Sequence, residues 1–230
     1  MQVQTKNKKF YLFIALLLLI LLTFPVFSKA QKGDWKLKKE KDGIEIYTKN
    51  CTANNLKEIK IITILEASLS SITAALSDID AYPEWVYKCI GSKSLYAVGG
   101  QETYFYTETN LPWPFQNRDL VLHNITFQDP ETKTVFSSSV TAEGIEPEKD
   151  GIVRVPYLVS KWVFTPLKDG TVHLNYYLNS DPGGSIPDWL VNMAIDQGPF
   201  QTMKKFKELV KKEKYKNVQL PYIQELETNR

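Results

Sequence analysis

From Ser92 to Ser180 the chain is a succession of strand patterns with little else between them. Apolar and β-branched residues alternate with polar ones over 92–98, 102–111, 119–128, 134–142, 152–157, 160–168 and 171–180. Gly99-Gly100, Asp129-Pro130, Glu146-Pro147 and Asp169-Gly170 break these runs, and such pairs mark turns. Connections this short suit antiparallel neighbours, because a parallel crossover needs about a dozen residues or more. The pattern predicts one long meandering antiparallel sheet and speaks against βαβ units.

The flanks of this region decide how the sheet is covered. Upstream, Asp42-Gly43 separates Trp35–Glu40 from Ile44–Tyr47, a hairpin signal. Ile59–Leu65 is β-branched on both faces, which predicts a central, covered strand. Ser68 opens a short helix with Leu69, Ile72, Leu76 and Ile79 on one side, and Pro83 interrupts it before a turn presenting Trp85. Downstream, Pro182, Gly183 and Gly184 stop the last strand. Ser185 is then an N-cap, with Asp188 three residues on and Pro187 near the first helical turn. Ile186, Trp189, Leu190, Met193, Phe200, Met203, Phe206 and Val210 recur at helical spacing. Gly198-Pro199 within that run predicts a kink. An amphipathic helix of this length needs an apolar surface, and the sheet supplies one. The fold class is α+β: a curved antiparallel sheet gripping a long C-terminal helix, with space for a ligand in the concavity.

The first thirty residues read as a leader. Lys6, Lys8 and Lys9 precede an apolar run from Phe10 to Leu22, and Ser28-Lys29-Ala30 offers small residues at a cleavage site. The expectation is an exported protein, periplasmic or secreted, beginning at Gln31; an uncleaved leader would instead anchor it to a membrane. Of 28 basic residues four lysines lie in this leader, so 24 face 26 acidic ones and the mature charge is −2. Such a balance carries no footprint for nucleic acid. About 200 residues suffice for one domain, here 31–217, followed by a tail, 218–230, read as trailing over the surface.

Cys51 and Cys89 are the only cysteines; they either pair or stand as a loop thiol and a small buried hydrophobe. With His123 and His173 they lack the spacing of a metal site. Neither histidine has an acid and a nucleophile placed to form a triad. No metal and no cofactor is expected. The late lysines, 204, 205, 207, 211, 212, 214 and 216, read as a solvated helix face, with docking on anionic lipid as the other reading.

Four segments in order carry a resemblance: Trp35 with Asp42–Tyr47, Asp80-Ala81-Tyr82-Pro83-Glu84-Trp85, Leu111-Pro112-Trp113-Pro114-Phe115-Gln116-Asn117-Arg118-Asp119, and Asp181–Asn192. Together they resemble the StAR-related lipid-transfer (START) domain, nearest its phosphatidylcholine-transfer branch. The resemblance implies a helix-grip fold around a lipid-sized tunnel, with the C-terminal helix as part of a lid. It implies non-enzymatic binding or transfer of one lipid by a monomer in transient contact with membranes. Carried onto this sequence, the branch's phosphate-binding arginine falls at Tyr82 and its choline cage at Thr107, Leu120 and Leu122. The basic residue of sterol-binding members falls at Asn124. These departures point to a ligand of little charge: sterol-like, hopanoid-like, fatty or otherwise neutral. Tyr82, Trp85, Tyr106, Thr107, Arg118, Leu120, Leu122, Asn124, Trp189 and Met193 are the candidate ligand residues. For Arg118 and Asp119 an ion-pairing role at a strand start is the stronger reading. Trp113 and Phe115, between prolines, belong either to a bend or to a loop dipping into the tunnel or membrane. The alternative function is an enzyme of the cyclase or hydrolase type on a hydrophobic substrate, marked by a polar cluster in the tunnel. A structural or sensory module would show an interior filled by side chains.

Overall fold

A computed structural model describes residues 35–50, 56–187, 189–191, 195 and 197–227. The leader, Cys51 and Met193 lie outside the described residues. Ten strands form one curved sheet in the order β1-β2-β3-β10-β9-β7-β6-β5-β4, with β8 paired to β6 off this path. They are β1 (Lys36–Lys41), β2 (Ile44–Asn50), β3 (Lys57–Leu65), β4 (Cys89–Val98), β5 (Glu102–Thr109), β6 (Asn117–Gln128), β7 (Val135–Thr141), β8 (Ile152–Arg154), β9 (Tyr157–Pro166) and β10 (Val172–Asp181). The described residues include helices α1 (Leu69–Ser77), α2 (Tyr82–Trp85), α3 (Gly198–Leu209) and α4 (Glu213–Lys216), with a 3-10 turn at Ile79–Ala81, and 189–191 and 195 are also helical.

The antiparallel meander holds from β4 to β7. It then departs from expectation, because β8 pairs with β6 in parallel and β7 passes over it to pair with β9. The residues before β8 have to double back across the start of β6, which a turn-by-turn reading does not anticipate. β10 then pairs with β3 along its length, which makes β3 an interior strand. Ile59, Ile61 and Leu65 are buried on one of its faces, while Ile64 on the other is exposed.

One main core lies between the sheet and two helices. Ile44, Ile46, Ile61, Leu174 and Phe164 meet Leu69, Ile72 and Leu76 of α1 and Phe200, Met203 and Phe206 of α3. Under β5 and β6 the core is a small separate cluster of Ile79, Phe105 and Leu122, against which Tyr82, Leu120 and Leu158 pack. The thin half of the interior is where the candidate site lies.

Gly198 and Pro199 open α3, with Gln197 as its N-cap; a missing amide is harmless in a first turn. One further expectation changes. The tail does not trail. Ile223 is buried in the main core, and the Glu225 carboxylate accepts from the amides of Leu69 at 2.9 Å and Ser70 at 2.8 Å. Those amides start α1, where orphan donors and the helix dipole favour an anion. Cys89 is a free, buried thiol, donating to the Gly91 carbonyl at 3.4 Å.

Candidate functional site

Strand alternation sets the inner wall. Thr107 is paired with Leu120, Phe105 with Leu122 and Thr103 with Asn124, so these six share one face of β5 and β6. Asn124 is paired in turn with Ser139 on β7, and Ser139 with Ser160 on β9. The Asn124 amide nitrogen donates to the hydroxyls of Ser137 and Ser139, each at 2.9 Å, and to the Ser138 carbonyl at 3.2 Å. Its carbonyl accepts from Thr126 at 3.2 Å, whose hydroxyl also lies 3.0 Å from that of Ser137. Burial pushes the Tyr176 pKa upward. The wall is therefore not apolar with a single amide. It carries a band of hydroxyls around that amide.

Tyr82 and Trp85 come from α2 and close over the wall. Tyr82 packs edge-on against Trp85 at 4.9 Å and Phe105 at 5.6 Å, and its hydroxyl donates to the Leu76 carbonyl at 3.0 Å. Trp85 continues the stack to Phe206 of α3 at 4.8 Å. Its buried Nε1–H has no hydrogen-bond partner among the described residues. Between Tyr82 and the Asn124 band lies a cavity of about 20 Å³, lined among others by Tyr82, Phe105, Asn124, Ser137, Ser139 and Trp162. It has room for about one water, whereas sites for small molecules usually measure about 300–1,000 Å³. Burial raises the Tyr82 hydroxyl well above its ordinary pKa, so it stays neutral at physiological pH. A larger groove of about 690 Å³ between the tail and the start of α1 is open to solvent and lies elsewhere.

Other candidates fall outside this wall. Tyr106 neighbours Thr107 in an extended strand, so the two cannot face the same side; Thr107 is on the wall and Tyr106 on the reverse. There its hydroxyl donates to Glu108 at 3.1 Å and accepts from Lys149 at 2.9 Å, and burial raises its pKa. Asp119 is 1% exposed and holds Arg154 in a fork, Nε to Oδ1 at 2.7 Å and Nη2 to Oδ2 at 3.1 Å. Arg118 is 6% exposed and, among the described residues, has no carboxylate partner. It donates to the carbonyls of Gln116 at 2.7 Å, Pro182 at 3.2 Å and Gly183 at 3.1 Å, and burial lowers its pKa. Its visible role is to fasten chain segments together.

Trp189 was expected in a buried wall and is 55% exposed, close to Trp113 in kind, which is 93% exposed. It meets Phe115 edge-on at 6.0 Å. Of the late lysines, Lys211 pairs with Glu66 at 2.7 Å, Lys212 with Glu84 at 2.5 Å, and Lys214 with Asp78. His123 pairs with Glu102 at 2.8 Å and stacks on Tyr104 at 4.2 Å, on the reverse face. Ser137, Ser139, Thr126 and Ser160 were not anticipated. The signal was there in Ser137-Ser138-Ser139, two of whose hydroxyls must share a face in a strand.

The family model described as START domain matches residues 28–216. The chain belongs to the START domain family. Among relatives of this START domain, an uncharacterised Pseudomonas aeruginosa protein is 31% identical over 189 residues, covering 82% of this chain and 93% of the relative. The mouse phosphatidylcholine transfer protein is 32% identical over 173 residues, 72% of this chain and 78% of the relative. A STAR-related lipid transfer protein from Xanthomonas axonopodis superposes with a TM-score of 0.71 at 29% identity, covering 77% of this chain and 99% of that one. Human StAR-related lipid transfer protein 5, at 16% identity and a TM-score of 0.69 over 90% of this chain and 98% of that one, shares the fold.

Proposed function

We propose that this START domain binds one lipid between the sheet and its C-terminal helical segments, and carries it without chemical change. Relatives named for phosphatidylcholine transfer and lipid transfer support the class of ligand. The observation that carries the reading is the match of residues 28–216 to the START domain model. The space beside Tyr82, Phe105 and Asn124 is filled by side chains down to about 20 Å³, which a structural or sensory module would also show. Lipid entry in this reading requires the cover to move, and we assign the gating to the C-terminal helix. An enzyme of the cyclase or hydrolase type would need a base within reach of Ser137 or Ser139. The cavity lining holds hydroxyls, an amide and apolar groups, without a carboxylate, imidazole or amine among the described residues.

Delivery calls for contact with a bilayer. Trp113 and Trp189 are exposed, Trp189 against Phe115 two residues on from Trp113, and tryptophan favours the membrane–water interface. The protein works as an exported monomer in this reading, its export resting on the leader. Native mass spectrometry of protein purified from its own host tests the central claim. One bound lipid per chain is the expected result; ligand-free protein that takes up nothing from a lipid extract would overturn it.

A further inference from the structure

A cover that admits lipid must also be held shut, and the tail beyond residue 216, where the START domain match ends, is placed to do so. It runs from α4 across the turn end of the sheet and finishes on α1. The Tyr222 ring lies against the β4–β5 turn, where a Cβ on Gly100 would come within 2.9 Å of its Cε1. Gly99 has the positive φ of a turn, at +63, and Gly100 does not; its missing side chain makes room for the ring. Gln128, at the end of β6, pairs with the main chain of Gln224 in both directions. The Gln224 amide donates to Gln128 Oε1 at 2.8 Å, and Gln128 Nε2 donates to the Gln224 carbonyl at 2.7 Å. Lys133, in the turn before β7, donates to Gln224 Oε1 at 2.7 Å. The Glu225 carboxylate then spans the Leu69 and Ser70 amides, a charge-assisted pair of bonds at a helix start.

These contacts bridge two sides of the interior. Thr103 and Asn124 line the small cavity three residues from Gly100 and four from Gln128, about 10–13 Å along their strands. Leu76 and Ser77 of α1 line it from the other side. At its far end α1 is tied to α4, because the Tyr215 hydroxyl donates at 2.7 Å to Asp78, the C-cap of α1. The tail thus holds α1 to the sheet, and α1 holds α4. The fastening is also light. Gln224 and Glu225 are exposed, and among the described residues of the tail Ile223 alone is buried. A chain end with one buried side chain and polar contacts near solvent opens at far less cost than the core.

We propose that residues 218–227 are a releasable strap that sets the rate of lipid exchange, an inference that rests on the lipid-binding reading. Fastened, the strap clamps α1 to the turn end of the sheet and keeps the helical cover closed. Unfastened, it frees α1 and α4 together, and the cover opens while the sheet stays intact.

The test measures exchange directly. Full-length protein, loaded from a lipid extract of its host, is mixed with excess dioleoylphosphatidylcholine vesicles, and loss of the bound lipid is followed by native mass spectrometry. Gln128→Ala/Glu225→Ala cuts the strap from the sheet and from α1 but leaves Ile223 in place. It should release lipid about five- to tenfold faster, the scale of one or two hydrogen bonds lost from the closed state. Amide exchange at Leu69 and Ser70 should quicken in the same variant. Gly100→Ala, which crowds Tyr222, should accelerate release as well. Val121→Ala removes buried bulk on the reverse face of β6 and controls for loosening of the whole molecule. Its release rate should stay within about twofold of the original, as for a distant, independent site. A double variant that releases lipid at the unaltered rate overturns the inference and leaves lipid binding standing. So does an equal acceleration in Val121→Ala. Unaltered protein that takes up no lipid from the extract overturns the lipid-binding reading itself. The strap is then judged by amide exchange, and unchanged exchange at Leu69 and Ser70 in the double variant overturns it too.

Discussion

The Nη2 group of Arg118 donates to the Gly183 carbonyl at 3.1 Å, across 65 residues of sequence. Its Nε reaches Pro182 at 3.2 Å and its Nη1 reaches Gln116 at 2.7 Å. One guanidinium thus ties the Trp113 loop to the turn that leads into the Trp189 segment. Its charge is met by carbonyl dipoles alone, among the described residues, since the neighbouring Asp119 is taken by Arg154. The turn is built to receive it. Gly183 has φ +68, and a Cβ there would come within 2.9 Å of Pro156 Cδ, so a side chain would be strained on both counts.

Arg118→Lys keeps the charge but cannot span three carbonyls from one nitrogen. We expect a loss of about 2 kcal/mol in urea unfolding, with carbonyls left short of donors. Amide exchange over 182–184 should rise ahead of exchange in β6. Protection there equal to that of the unaltered protein would show that Arg118 is not the fastener.

The tail makes a similar long-range contact. Removing residues 218–230 strips Ile223 from the core and Glu225 from the first turn of α1. Ile223→Ala alone should cost about 2–3 kcal/mol, and Glu225→Gln about 1 kcal/mol as a cap loses its charge. Measured by denaturant melts, a shortened chain as stable as the whole would mean that the tail only rests on the surface.

How far a feature's causes reach along the chain decides whether the sequence reveals it. Asp42 and Gly43 adopt positive φ, at 54° and 67°, as the hairpin signal demands, because the turn depends on its own two residues. The chemistry that fixes β3 beside β10 is spread over 107 to 121 positions of separation and leaves no local mark. The wall at Thr107, Leu120, Leu122 and Asn124 was legible as positions but not as a surface. Alternation had to choose between Tyr106 and Thr107, and the serines opposite Asn124 look like ordinary solvent-facing residues until register is known. Trp189 fits a helical apolar stripe, yet periodicity does not say whether that stripe is covered at its end.

Alkaline unfolding should report on the Tyr215–Asp78 contact. The Tyr215 hydroxyl donates to Asp78 at 2.7 Å. Burial, and then the bond to Asp78, push its pKa from an ordinary 10.0 up to about 12. The folded state therefore holds this proton more tightly than the unfolded chain. The contribution is fully present below pH 10.0 and is lost as pH rises toward about 12. Tyr215→Phe should flatten that part of the stability curve. An identical slope in the variant over this window would remove Tyr215 as its source.

Membrane contact should depend on apolar insertion more than on charge. Trp113 is almost wholly exposed and Trp189 half so, which is costly for large aromatic rings unless something covers them at times. The lysines near the C-terminus are for the most part already matched to acids: Lys211 to Glu66, Lys212 to Glu84, Lys214 to Asp78 and Lys216 to Glu213. Surface pairs of this kind contribute little to stability, yet they cancel the field that would draw the helix to anionic lipid. Trp113→Ser should leave the melting curve within about 0.5 kcal/mol of the original, because the ring is exposed in the folded state. Trp113→Ser/Trp189→Ser should weaken sedimentation with neutral vesicles by about tenfold. Raising the salt should change binding of the unaltered protein little, since insertion of a ring is not screened. Binding that vanishes with salt, and survives loss of both tryptophans, would place the contact on the lysine face of α3 and α4 instead.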